Sequence, residues 1–126
     1  MTEFSVSLAN RPGQLAKLAR VLADANVEIE AFAAVADNGE SHVRFVVASA
    51  SVARRALSTA AFEFHEHDVL DTFLPRGSSA LAHTAEGLAR AGVNIDSMYL
   101  LHTSSEGFHF AVTVDDPDAA SGALAG

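Results

Sequence analysis

The sequence predicts an α+β fold made of two similar repeats, each an antiparallel sheet with helices packed on one face. Two observations lead to this prediction: the chain resembles itself at a fixed offset, and the spacing of apolar residues changes from two to helical within each repeat. The chain has 126 residues, enough for one ordinary domain or two very small ones.

The internal repeat is visible in the latter half of the first predicted helix and the strand after it. An offset of 66 aligns ADANVEIE at 23–30 with ARAGVNID at 89–96, and it brings Leu15 and Leu22 onto Leu81 and Leu88. An offset of 67 then aligns HVRFVV at 42–47 with HFAVTV at 109–114, so the loop between gains one residue. We therefore divide the chain into repeats 1–67 and 68–126.

The first repeat opens with a strand and a helix. Phe4, Val6 and Leu8 alternate with serines, as in a half-buried strand. Apolar residues then recur at helical spacing and form one face: Leu15, Leu18, Ala19, Leu22 and Ala25. Before this helix, Asn10 is a candidate cap and Pro12 suits the first turn; after it, Asn26 is a plausible stop.

The rest of the repeat adds two strands, a helix and a last strand. Runs 27–36 and 41–49 are strand-like and are separated by the turn residues Asp37, Asn38 and Gly39. Residues 51–60 are predicted to be helical and 62–66 to be a short strand. The resulting βαββαβ order is that of a ferredoxin-like sandwich.

The second repeat follows the same order but stops before its last strand. It comprises strand 68–74, helix 79–91, strands 93–103 and 107–114, and a helix that opens at Asp116 and Pro117. A missing strand leaves a sheet edge that must be covered, and we expect a second chain to be able to cover it.

Composition excludes several classes of function. The formal net charge is -8, and the only adjacent basic pair is Arg54 and Arg55, which argues against binding a nucleic acid. There is no cysteine, hence no disulfide and no thiolate metal site. No apolar run approaches the roughly 20 residues of a membrane span, and the N-terminus lacks the pattern of a signal peptide. We expect a cytoplasmic protein that has no membrane contact.

The stretch NRPGQLAKLARVLADANVEI at 10–29, with the strand pair after it, resembles the ACT domain, and the chain resembles a tandem ACT protein over nearly its whole length. The resemblance implies a regulatory protein that binds a free amino acid and acts on a partner enzyme or as a homodimer. It also implies a binding site where the loop of one unit meets a strand of another: Asn10, Arg11, Pro12, Gly13, Gln14 and Leu15, with Asn94. The reciprocal loop, Arg76 to Ser79 facing Glu28, has serines where the first has Pro12 and Gly13, so we expect that site to be weakened.

The chemistry of these residues agrees with the implied site. An amino acid needs donors for its carboxylate and acceptors for its ammonium group. Backbone N–H groups of residues 13–15, at a helix N-terminus, would favour the anion, and Gly13 removes a side chain that would block its approach. Asparagine both donates and accepts, so Asn10 and Asn94 can serve either end.

Alternative interpretations remain open at this stage. The loop can be a capping turn only, and Asn94 an ordinary residue at a strand start. The chain can instead be a regulatory subunit that docks on an enzyme through its sheet edge, without a ligand of its own. His65 and His67 flank Glu66, but two ligands on one strand do not make a zinc site. No catalytic or phosphate-binding motif occurs, so we predict no enzyme activity and no cofactor.

Overall fold

The computed structural model describes residues 1–125 and divides into two compact units, Met1–His67 and Asp68–Gly126. The first unit contains β1 (Thr2–Ala9), α1 (Gln14–Asp24), β2 (Ile29–Asp37), β3 (Glu40–Val47), α2 (Ala50–Thr59) and β4 (His65–Asp68). The second contains β5 (Leu70–Pro75), α3 (Ser78–Arg90), β6 (Ile95–Thr103), β7 (Gly107–Val114) and α4 (Pro117–Ala125). The predicted α+β order with a shorter second repeat is confirmed.

The sheet of the first unit has the strand order β2-β3-β1-β4. Its central strands are antiparallel, with Phe4 opposite Phe45 and Val6 opposite Val43. These strand residues share one face with Leu18 and Leu22 of α1 and Leu57 of α2 in a buried core. Both helices therefore cover the same face of the sheet, because alternate strand residues point to one side.

The sheet of the second unit has the order β5-β7-β6 and is also antiparallel. Its core is smaller and gathers Leu88, Val93, Val112, Val114 and Ala120, with partly buried neighbours such as Phe110. The central strand β7 has a partner on each side, whereas β5 has a partner on one side only among the described residues.

Three helices end in the same way, and this ending fixes where the next segment begins. After α1, Asn26 has φ 56° and donates to the Ala23 carbonyl, while the N–H of Val27 donates to the Leu22 carbonyl. This is a Schellman motif, which satisfies carbonyls at the end of the helix. Ala61 and Gly92 close α2 and α3 with the same pair of bonds. Asn26 is therefore the helix stop that the sequence predicts.

The largest displacement from prediction concerns the last strand of the first unit. We predicted a strand at 62–66, but β4 spans His65–Asp68. The cause is the Schellman motif, in which the N–H of Phe62 donates to the Leu57 carbonyl instead of entering a strand ladder. Phe62 and Phe64 still pack against the core of the unit before the hydrogen-bonded strand begins.

The hairpin between β2 and β3 matches the sequence closely. Asn38 and Gly39 form a two-residue turn with φ 51° and 78°. Two positive φ values in succession define a type I′ turn, for which Asn-Gly is the preferred pair.

None of the helices in residues 1–125 is long and apolar enough to cross a membrane.

Candidate ligand-binding loop

The loop that joins β1 to α1 is tied to the β2–β3 turn and faces solvent. The N–H of Asn10 donates to the Gly39 carbonyl over 2.9 Å, and the N–H of Arg11 donates to the Ala9 carbonyl over 2.9 Å. Residues 10–13 are all exposed, with Gln14 half-buried behind them. The type I′ turn therefore fixes the position of the loop, because the Gly39 carbonyl accepts a hydrogen bond from the first residue of the loop, Asn10.

Gly13 occupies the N-cap position of α1 with φ 89° and ψ -15°. This left-handed conformation, rather than a steric limit, is what requires glycine, because a Cβ built on it would meet none of the described atoms within 4 Å. The prediction that Asn10 caps the helix is wrong, because no side chain in the described structure bonds to this helix end. Asn10 fixes the loop through its backbone, which leaves its amide side chain exposed.

The start of α1 offers backbone donors to solvent. The first helical bond runs from the N–H of Lys17 to the Gly13 carbonyl at 3.0 Å, and the N–H of Gln14 donates to the Arg11 carbonyl at 3.3 Å. The N–H groups of Leu15 and Ala16 therefore precede the helical ladder and have no acceptor within it. The sequence predicts donors at residues 13–15; of these, the N–H of Gln14 is engaged by the Arg11 carbonyl.

The loop also carries a positively charged side chain, that of Arg11. Arg11 is exposed and forms no ion pair with any residue of the described chain. Together with the positive end of the α1 dipole, it makes the loop a place where a carboxylate is favoured. The neighbouring Asn10 adds an amide that can donate or accept.

Asn94 lies in the second unit, between the end of α3 and the start of β6. Its N–H donates to the Asp115 carboxylate over 2.9 Å, and its carbonyl accepts from the N–H of Asp115 over 3.1 Å. Its side-chain nitrogen contacts Asp96 at 3.4 Å. This residue is thus anchored through its backbone to Asp115, just after the end of β7, while its side chain stays exposed next to a carboxylate.

The corresponding loop of the second unit is built differently. Gly77 is the N-cap of α3 with φ 114° and ψ 148°, and within the described structure neither Ser78 nor Ser79 caps the helix through its side chain. Arg76 donates to the Ser104 carbonyl over 3.0 Å and lies 5.0 Å from the centre of the Phe108 ring. Its guanidinium is committed to its own unit, unlike that of Arg11.

One buried polar cluster escaped the sequence analysis. Glu3 is 0% exposed, and its Oε1 lies 3.0 Å from Nη1 of Arg44 and 3.2 Å from Nδ1 of His67. An acid near the start of a strand gives no sign in the sequence that it is buried, since burial depends on residues 41 and 64 positions away. His65, the other histidine of the H-E-H stretch, is exposed. Throughout residues 1–125, no three His, Asp or Glu residues come together as a metal site would need.

Comparison with solved structures identifies the fold. A protein of Bacteroides thetaiotaomicron, BT0572, superposes with a TM-score of 0.85 at 24% identity, covering 98% of this chain and 85% of its own. The regulatory subunit of aspartate kinase from Thermus flavus has a TM-score of 0.73 at 18% identity, covering 98% of this chain and 90% of its own. The same subunit from Thermus thermophilus has a TM-score of 0.69 at 17% identity, covering 98% and 88%.

The chain has a tandem ACT fold. The superpositions extend over nearly the whole of it, so both units take part in the likeness. No protein-family model matches the sequence, and no curated protein sequence matches it either. The tandem ACT architecture is thus established by the order of its elements and by structural similarity.

Proposed function

We propose that this tandem ACT protein is a non-catalytic regulatory protein that binds a free amino acid through the loop Asn10–Leu15, with Asn94 as a further contact. The bound state is transmitted to a partner enzyme or through a homodimer. Two structures with this fold are regulatory subunits of aspartate kinase, which supports a regulatory role. The observation that carries the proposal is the exposed start of α1, which no side chain of residues 1–125 caps, next to Arg11, which forms no ion pair within those residues.

The carboxylate of the ligand is assigned to the start of α1. The N–H groups of Leu15 and Ala16 point along the helix axis, and an anion there is stabilised by the helix dipole. Arg11 can add a charge-assisted hydrogen bond, which is about twice as strong as a neutral one. Because Gly13 has no side chain, the carboxylate can approach these donors closely.

The ammonium group of the ligand is assigned to the two asparagines. An ammonium group has three donors and no acceptor, so it requires oxygen atoms. Asn94 presents its Nδ2 to Asp96, which leaves its Oδ1 as an acceptor next to a negative charge. Asn10 supplies a second amide oxygen, since its anchoring bond uses only the backbone.

The second loop is proposed to be inactive as a ligand site. Its arginine is held by Ser104 and Phe108, and a ligand carboxylate would have to displace both contacts. The positions of Pro12 and Gly13 are taken by Ser78 and Ser79, which lie inside the first turn of α3. One amino acid per chain is therefore the expected stoichiometry.

A thermal-shift screen against the twenty amino acids at millimolar concentration tests the proposal. A ligand at 100 times its dissociation constant stabilises the native state by about 2.7 kcal/mol, which raises the melting temperature by several degrees for a chain of this size. We expect one amino acid, or a few related ones, to give this shift. Asn10→Ala and Arg11→Ala should abolish it, whereas Ser79→Ala, at an exposed position in the first turn of α3, should retain it.

Two results would contradict the proposal. If the protein is folded and none of the twenty amino acids raises its melting temperature, the proposal of an amino-acid ligand is wrong. A shift that survives Arg11→Ala but is lost in Ser79→Ala would move the site to the second loop.

A further inference from the structure

A groove of about 890 Å³ runs along the second unit between the edge of its sheet and its helices. One wall is the end of β5, from Thr72 to Arg76. The other walls are α4, at Ala123 and Leu124, and a face of α3 made of small, half-buried residues: Ala80, Thr84 and Gly87. The groove lies wholly within residues of the second unit and is separate from the Asn10 loop.

The first unit has a strand at the corresponding sheet edge. There β4 lies next to β1, which is the counterpart of β5 in the repeat. The segment leading into β4 sends Phe62 and Phe64 into the core, and the Phe64 ring lies 5.5 Å from that of Phe4. In the second unit no strand among the described residues occupies this place, so the groove lines an open edge.

A buried polar atom in the groove also lacks a partner. Thr72 is only 7% exposed and lines the groove, and its Oγ1 has no hydrogen-bond partner within the described structure. Buried hydroxyl groups are nearly always hydrogen-bonded, so this one can accept water or a polar group of a docked segment as its partner. A segment that docks in the groove carries polar groups that can meet this need.

The charge of the groove indicates the chemistry of the partner. Its lining residues include Arg76, His83 and Arg90, and no aspartate or glutamate. The chain as a whole has a net charge of -8, so this groove differs in sign from most of the surface. In the first unit, Glu66 on β4 accepts two hydrogen bonds of 2.7 Å from Arg54, which is an internal precedent for an acidic strand held by arginine.

We propose that this groove is a docking site for an extended, acidic segment of a partner protein that adds as a strand beside β5. Its backbone pairs with the free edge, two aromatic side chains at alternate positions fill the space between β5, α3 and α4, and its carboxylates face Arg90 and His83. Strand addition of this kind takes affinity from main-chain hydrogen bonds and specificity from pockets for alternate side chains. The proposal does not depend on amino-acid binding by the first unit.

The chain itself provides a probe of the right chemistry. A fluorescent peptide with the sequence of residues 61–68, AFEFHEHD, has alternate phenylalanines and three acidic residues. Its binding to the full chain is measured by fluorescence anisotropy. We expect micromolar affinity that falls at least tenfold when both phenylalanines of the peptide are replaced by serine, and that falls at high salt because the attraction is partly electrostatic.

A variant that blocks the groove keeps the test independent of folding. A Cβ at Gly87 would meet only the end of Arg90, 3.8 Å away, so a side chain fits there and projects into the groove. Gly87→Leu should abolish peptide binding while the melting temperature is unchanged or higher, because leucine favours a helix more than glycine. Ala82→Leu, on an exposed part of the same helix, should bind as the parent does, and Arg90→Glu should bind at least fivefold more weakly.

Three results would overturn the proposal. The first is the absence of peptide binding at millimolar peptide. The second is binding that Gly87→Leu does not alter, which would place the peptide elsewhere, for example in exchange with β4 of the first unit. The third is a chain that sediments as a dimer and is converted to a monomer by Gly87→Leu, because a second copy would then be the occupant.

Discussion

The two units share their scaffold and differ at the sheet edge next to the first strand. In both units a strand, a helix and a strand pair follow in the same order, and the same Schellman motif closes α1, α2 and α3. In the first unit β4 covers the edge of β1, whereas β5 has no such neighbour in the described part of the chain. The helix stops are thus the same in both units, whereas among the described residues only the first unit has a strand beside its first strand.

The loops before α1 and α3 show the same division. Each begins its helix after a glycine with positive φ, Gly13 or Gly77. Their arginines differ, because Arg11 is exposed without an ion pair in the described residues and Arg76 is held by its own unit. The two loops therefore differ in the backbone at the glycine, with ψ -15° at Gly13 and 148° at Gly77, and in whether the arginine is engaged within its own unit.

The largest effect is expected when the first unit is made to resemble the second at this edge. Phe64→Ala removes the ring that packs on Phe4 and opens the space that β4 closes. Since Phe64 is half-buried, we expect a loss of about 2–3 kcal/mol, below the 3–5 kcal/mol typical of a fully buried phenylalanine. Urea denaturation measures it, with Phe73→Ala, whose side chain is 43% exposed, as the matched control.

The comparison would fail if Phe64→Ala cost no more than Phe73→Ala. In that case the segment leading into β4 would not stabilise the first unit, and the difference between the two sheet edges would have no consequence for stability.

A smaller difference is expected between the two loop glycines. Gly77, at φ 114° and ψ 148°, lies in a region that is almost restricted to glycine, and Gly77→Ala should cost about 2 kcal/mol. Gly13, at φ 89°, is nearer to the left-handed helical region, where alanine costs about 1 kcal/mol. The urea midpoints of the two variants give the order directly, and the reverse order would show that surrounding contacts, not φ, decide the cost.

The smallest effect concerns the ion pair that holds β4 against α2. The hydrogen bonds from Arg54 hold the pKa of Glu66 below its usual value, and the same contact raises the pKa of Arg54. A carboxyl group whose pKa is lowered by folding stabilises the protein above its unfolded pKa, and this contribution is lost as pH falls through the folded pKa.

Glu66→Gln should therefore lower the melting temperature slightly at pH 7 and make no difference well below pH 4.5, the ordinary pKa of the group. Differential scanning at several pH values checks this, with Glu63→Gln, which lies outside the ion pair, as the control. A difference between Glu66→Gln and the parent that stays constant down to low pH would exclude the assigned pair.

The parts of the fold that could be predicted from sequence have local causes. Asn38 and Gly39 specify a type I′ turn by themselves, and Asn26 readily adopts the left-handed conformation that ends α1. The alternation of Phe4, Val6 and Leu8 is likewise a property of one strand.

The errors arose where tertiary contacts override local preference. Ala61 ends α2 with φ 62°, although alanine rarely adopts this conformation, and this displaced the last strand from 62–66 to His65–Asp68. Asn10 and Ser79 are good capping residues by type, yet glycines take the N-cap positions. The burial of Glu3 depends on Arg44 and His67, which no local pattern connects to it. The identity of the proposed ligand could not be predicted for the same reason, because side-chain specificity depends on pocket walls that are formed by residues distant in sequence.

Isothermal titration calorimetry with the amino acid found in the thermal-shift screen tests the central claim most directly. The account predicts one molecule bound per chain, with binding lost in Arg11→Ala and unchanged in Ser79→Ala. Two equivalent molecules per chain, or one molecule whose binding is insensitive to Arg11→Ala, would contradict it.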